Sequence, residues 1–162
     1  MPNTAGYGYI IPAGATYVPA NPTAPSSTSA YKMQGLGMLL TPLTPSGKIL
    51  CNISATLTVN ATTVGVGINM QMWYGPVQSG VAVPANGAAI PTSALQLGTT
   101  STYETGVTLT TAADQFFPID LMGLAIGLTP GQQYWFDIAA ESITTASACA
   151  LTQINGVLVE IG

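Results

Sequence analysis

Between Lys48 and Glu104 the chain carries no charged residue at all, and within that span lie its two most regular alternations. In Lys48 to Val59, Cys51, Ile53, Ala55, Leu57 and Val59 share one parity, while Asn52, Ser54, Thr56 and Thr58 share the other. A period of two over this length fits a half-buried strand and no helix. An apolar face opposite a polar one is the mark of an antiparallel sheet with one open side. Val64 to Tyr74 repeats the pattern with Val64, Val66, Ile68, Met70 and Met72 inward. Its other face, with Gly65, Gly67, Asn69, Gln71 and Trp73, is flat and neutral. Such a surface suits contact with another subunit better than water.

Further strands are expected at Lys32 to Thr41, with Leu36, Met38 and Leu40 on one face; at Leu95 to Leu97; and at Tyr103 to Thr111. Another is centred on Phe117, Ile119 and Leu121. Near Gly123 the apolar parity slips to Leu124, Ile126 and Leu128, which predicts a bulge or short turn there. Thr44-Pro45-Ser46-Gly47 reads as a turn, and Gly75 to Ser93 as a surface excursion too long for a hairpin loop. A final hairpin starts at Pro130-Gly131, with Tyr134, Phe136 and Ile138 inward and Trp135 outward beside Asp137. Several strands separated by turns predict an all-β, antiparallel β-sandwich over 32–162; long strands and irregular loops favour a jelly-roll-like one, with an Ig-like sandwich as the rival.

Residues 1–31 form a separate segment with five of the twelve prolines and four of the seven tyrosines. Proline at this density opposes a helix or central strand. A loose tail is one reading. The aromatics favour the other, an extended arm lying on a neighbouring subunit with Tyr7, Tyr9, Ile10, Ile11, Tyr17 and Tyr31 as anchors. Extended at about 3.3 Å per residue, it reaches on the order of 100 Å.

Two cations and six carboxylates in 162 residues limit what the chain does. Two lysines make no phosphate-tracking stripe, so no nucleic-acid partner is expected. Every apolar run is interrupted well before the roughly 18 residues of a spanning helix, and the few strands and long prolyl loops argue against a membrane barrel. The stretch MPNTAGYGYII shows no signal peptide. Without histidine, a Ser-His-Asp or Cys-His hydrolase lacks its base. Asp137 and Glu141 lie roughly 13 Å apart at strand rise, too far for paired-carboxylate glycoside hydrolysis. Neither zinc nor a calcium loop at Glu104, Asp114 or Asp120 has supporting spacing. No enzyme, cofactor or metal site is expected. Cys51 and Cys149, inside strands, read as buried thiols in preference to a disulfide. For the two tryptophans three readings stand: a subunit interface with Asn69 and Gln71, glycan stacking, or a second layer of core.

The final hairpin resembles the last two strands of the trimeric jelly rolls of tumour necrosis factor and complement globular heads. Leu128, Gly131, Tyr134, Trp135 and Ile138 match, followed by Gly156, Val157 and Leu158. The segments ATLTVNATTVGVGINMQMWYG and GLTPGQQYWFDIA are similar to small virion proteins of tailed bacteriophages. That resemblance implies a homotrimeric structural protein on the capsid exterior, partnered by the major capsid protein and acting as a decoration or cement protein. A receptor- or glycan-binding tail-fibre tip and a bacterial surface protein of the same fold are the alternatives.

Overall fold

The computed structural model describes residues 13–59, 65–79, 83–97, 115–144, 146 and 148–162. Among these are nine strands and no helix: β1 (Gly14–Tyr17), β2 (Lys32–Met33), β3 (Met38–Leu40), β4 (Ile49–Val59), β5 (Gly67–Pro76), β6 (Leu95–Gln96), β7 (Gln115–Ala125), β8 (Tyr134–Ile143) and β9 (Cys149–Glu160). They form two antiparallel sheets. Sheet A has the order β1-β9-β4-β7; sheet B has the order β2-β8-β5-β6, with β3 also pairing β8. Counted as one interrupted strand, β2 and β3 bring the total to eight in two sheets, as in a double Greek-key jelly roll.

The core lies between the sheets, where the alternation of β4 and β5 placed it. Cys51, Ile53, Ala55, Leu57 and Val59 are buried, and so are Val66, Ile68, Met70 and Met72. From sheet B, Tyr134, Phe136 and Ile138 complete it, with Tyr74 stacked on Phe136 at a centroid distance of 5.8 Å. Cys51 and Cys149 are both buried and free. They pair with opposite ends of the β4/β9 ladder, Cys51 with Leu158 and Cys149 with Val59, so no disulfide can join them.

Three features differ from the sequence reading. The expected strand 32–41 is broken at Gln34–Gly37, where Gly35 (φ +70°) runs so close to Asn86 that a Cβ would lie 2.4 Å from its backbone nitrogen. The expected bulge near Gly123 is absent, because β7 pairs β4 without a shift from Gln115 to Ala125. Gly123 keeps its inward position because Met72 and Leu97 fill that space; a Cβ would meet Met72 Cε at 2.8 Å. Met122 and Leu124 consequently point outward. The bulge lies instead in β9, where Gln153 adopts φ +51° and the pairing skips from Ser54–Asn155 to Thr56–Thr152.

That bulge inverts the parity of β9. Before it, Cys149 and Leu151 face the core; after it, Ile154, Gly156, Leu158 and Glu160 do. Gly156 is accommodated inside because Met38 occupies the space where its side chain would be.

The described part of the N-terminal segment lies on its own domain. β1 extends sheet A along β9. Tyr17 Oη donates to Leu39 O and accepts from Leu39 N–H at 3.1 Å, tying the edge of sheet A to β3 of sheet B. Ser142 donates to Pro25 O through its hydroxyl and to Ser27 O through its N–H. Tyr31 packs against the outer side of sheet B. Tyr17 and Tyr31 are therefore anchors within the chain, and any reach to a neighbour falls to residues 1–12. Tyr7, Tyr9, Ile10 and Ile11, like the expected strand Tyr103 to Thr111, are outside the described residues.

Candidate assembly surface

The outer sides of the two sheets are finished differently. On sheet B, residues 77–79 and 83–94 lie over β8. Val77, Val83, Ala88, Ile90 and Ala94 pack there against Met33, Trp135 and Ala139 in a second apolar cluster. The Trp135 indole lies against Gly75, where a Cβ would come within 2.8 Å of the ring. Trp135 is 3% exposed. The expectation of an outward-facing Trp135 is corrected: the long excursion that the sequence marks as surface is the cover of this face. Trp73 is half-buried at the margin, its Nε1–H donating to Gln71 Oε1 at 3.1 Å. Asn69, also half-buried, donates to Glu141 Oε1 at 3.1 Å.

Asp137 lies on this same covered face and accounts for the gap between β2 and β3. Its carboxylate accepts the N–H groups of Gly35 (2.8 Å), Leu36 (3.2 Å) and Ile138 (2.7 Å). Two of those donors are orphaned by the strand break. Burial pushes its pKa up to about 7 even though the three N–H bonds pull the other way.

Sheet A has no such cover among the described residues. On its outer side Leu124 (β7), Leu50 (β4) and Val159 (β9) form one cross-strand row, and Met122, Asn52 and Val157 form the next. Met122 is 65% exposed, Leu124 43% and Val159 42%. Outward parity in β7 and the inverted parity of β9 bring these side chains together, and neither was legible in the sequence. Beyond them the face turns polar. Ser54, Thr56, Asp120, Gln153 and Asn155 line an open depression of about 730 Å³. Asn52 Nδ2–H donates to Asp120 there at 2.7 Å, and Thr56 donates to Gln153 Oε1 at 3.0 Å.

At the apolar end of the sandwich, Glu160 gathers the chain. Its inward carboxylate accepts Ala13 N–H (2.9 Å), Leu43 N–H (2.9 Å), Thr44 N–H (2.6 Å) and Thr44 Oγ1–H (2.7 Å). Burial raises its pKa, but the four hydrogen bonds together outweigh that and hold it at about 2. Glu160 thereby fixes Ala13, the first described residue, at this end of the sandwich.

Among the described residues no three of His, Cys, Asp and Glu come together as a metal site, and the buried carboxylates are occupied by backbone donors. What the geometry offers is contact: an uncharged apolar patch beside a polar one that holds Asp120.

No protein-family model matches the sequence, and no curated protein matches it. Sixteen chains of solved structures match its shape. They include the structure of infectious bursal disease virus, Gt strain (TM-score 0.38, 13% identity, 92% of this chain and 33% of that one). A second is the VP2 subviral particle of the same virus (TM-score 0.36, 13% identity, 93% and 33%). A third is dimeric latent PorU from Porphyromonas gingivalis (TM-score 0.41, 12% identity, 93% and 13%). This chain spans about a third of those viral chains. At these TM-scores and identities the likeness carries no argument about family or function.

Proposed function

We propose that this chain is a structural virion protein that works by assembly: a homotrimeric decoration or cement protein on the exterior of a phage head. The observation that carries this reading is the apolar row on sheet A, which no described residue covers, in a protein with only two cations and six carboxylates. Three strands of about eleven residues and the four-residue β1, at about 4.8 Å spacing and about 3.3 Å rise, give the face roughly 600 Å². A standard interface buries about 800 Å² per partner, so one such face supports one stable contact. Trp73, Asn69 and Gln71 supply a smaller neutral patch toward the major capsid protein.

The mechanism is mechanical. Apolar burial links copies to one another and to the shell without ion pairs, so attachment changes little between low and high salt. The decisive experiment is to locate and count the protein in an imaged particle, where hundreds of copies on the head are expected. In solution, Leu124→Asp places a charge on the apolar row without touching the core, and light scattering should then report one third of the wild-type mass. An unchanged mass would count against the face.

One observation favours a second reading, a receptor- or glycan-binding tip. The polar depression around Asp120, Gln153 and Asn155 shares its face with Phe116, which is 67% exposed. A few dozen copies on the tail, in place of hundreds on the head, would select it.

A further inference from the structure

We infer that the apolar end of sheet A's outer face is the docking site for residues 1–12 of another copy of this chain. The inference rests on the assembly reading above and names the occupant of its surface.

The exit point is fixed. Ala13 donates its N–H to the Glu160 carboxylate, and its carbonyl accepts from Glu160 N–H at 2.7 Å, so the residue is held at both ends. Its neighbour Gly14 pairs with Val159, Val159 with Leu50, and Leu50 with Leu124. Residues 1–12 therefore depart at the same end of the same sheet as the apolar row.

Their direction favours another molecule. β1 runs in the plane of sheet A, and Ala13, held by Glu160, continues that line at the end of the sheet. Covering its own outer face would take an immediate reversal. Pro12 has its φ fixed, Ile11 before it is biased to extended conformations, and Ala13 has no free backbone group to spend on a turn. A straight continuation needs no such reversal. Twelve residues span about 40 Å, against about 14 Å for the three strand spacings from β1 to β7.

The surfaces match chemically. Residues 1–12 carry no charged side chain and contribute Tyr7, Tyr9, Ile10 and Ile11. Met122, Leu124, Leu50, Val157 and Val159 offer an uncharged row for apolar side chains and no ionic partner.

Cross-linking tests the placement. Two full-length chains with different tags, one with Ile10→Cys and one with Leu124→Cys, are co-expressed and oxidised. The native thiols do not interfere: both are buried, and burial pushes Cys51 up to about 12 and Cys149 up to about 11. The expected result is a disulfide between differently tagged chains, lost when Thr58→Cys, at the far end of the face, replaces Leu124→Cys. As a second measurement, peroxide should oxidise Met122 roughly threefold or more faster once residues 2–12 are deleted. A third chain carrying both Ile10→Cys and Leu124→Cys is the control: a cross-link that forms only in it, within one chain, overturns the inference, and so does the absence of any cross-link, or an unchanged oxidation rate. If these fail while the trimer persists, the inference alone is wrong; if no oligomer forms, the assembly reading fails first.

Discussion

Replacing Glu160 by glutamine should loosen three parts of the molecule at once, because one carboxylate holds Ala13, Leu43 and Thr44 to the end of β9. The amide keeps one acceptor oxygen and loses the charge that draws four donors. The fall of the carboxyl pKa from its ordinary 4.5 to about 2 gives the size of the effect. At full strength that difference is worth about 3.4 kcal/mol. Although Glu160 is only 2% exposed, the shell of protein around it is thin, so solvent screening reduces the expected value to about 2 kcal/mol. For a chain of this length that lowers Tm by about 4–8 °C. The pH dependence follows from the direction of the shift. A depressed carboxylate pKa stabilises the fold above 4.5, and that contribution disappears as pH falls through about 2. Denaturant melts of wild type and E160Q at matched pH should differ fully at pH 6 and hardly at pH 2. Asp137 titrates in both proteins and cancels in the difference. A gap of constant size from pH 6 to pH 2 would refute the account, because a packing defect has no reason to titrate.

Asp137 works with the opposite sign. Its pKa is raised to about 7, so its contribution to stability should be greatest near pH 4 and decline as pH rises to about 7; Asp137→Asn should abolish that slope. The amide also faces Gly35 or Leu36 N–H with a donor, costing about 1–3 kcal/mol at pH 4, and a slope that survives the substitution would exclude Asp137 as its source. Trp135→Ala should cost about 3–5 kcal/mol and expose 83–94 to proteolysis without changing the oligomer; a lost trimer with an unchanged melt would make Trp135 a subunit contact after all. Gly123→Ala should cost about 1–3 kcal/mol through its clash with Met72 and Leu97, and a neutral result in thermal melts would mean that β7 can shift outward. Deleting residues 2–12 should leave the fold intact and break up the trimer in light scattering, because the segment fills the face that joins copies, whereas deletion to residue 30 should also destabilise the domain by removing β1 and Tyr17.

What the sequence determined by itself is the antiparallel sandwich and most of its core. An alternation such as Cys51 to Val59 states which side of a strand is apolar, and in a two-layer structure that side can only face the other sheet. The inward set Tyr134, Phe136 and Ile138 was legible for the same reason, as was the turn at Thr44 to Gly47. Parity fails where both sides of a strand are covered or where the register shifts. β8 is buried on both faces, so its alternation of aromatics could not say that Trp135 lies under the strand-to-strand excursion. Apolar Leu124 next to Gly123 reads as a slip, yet the inward glycine is kept because Met72 and Leu97 come from other strands to fill its space. The bulge at Gln153 is the clearest case. Nothing local marks it, but it follows from fitting β9 against β4 and Gly156 against Met38. By moving Glu160 inside and Val157 and Val159 outside, it makes both the anchor of the N-terminal segment and the apolar face beside it. Periodicity is a property of one strand, whereas the surface proposed for assembly is a property of three strands in register, and only the tertiary structure could decide it.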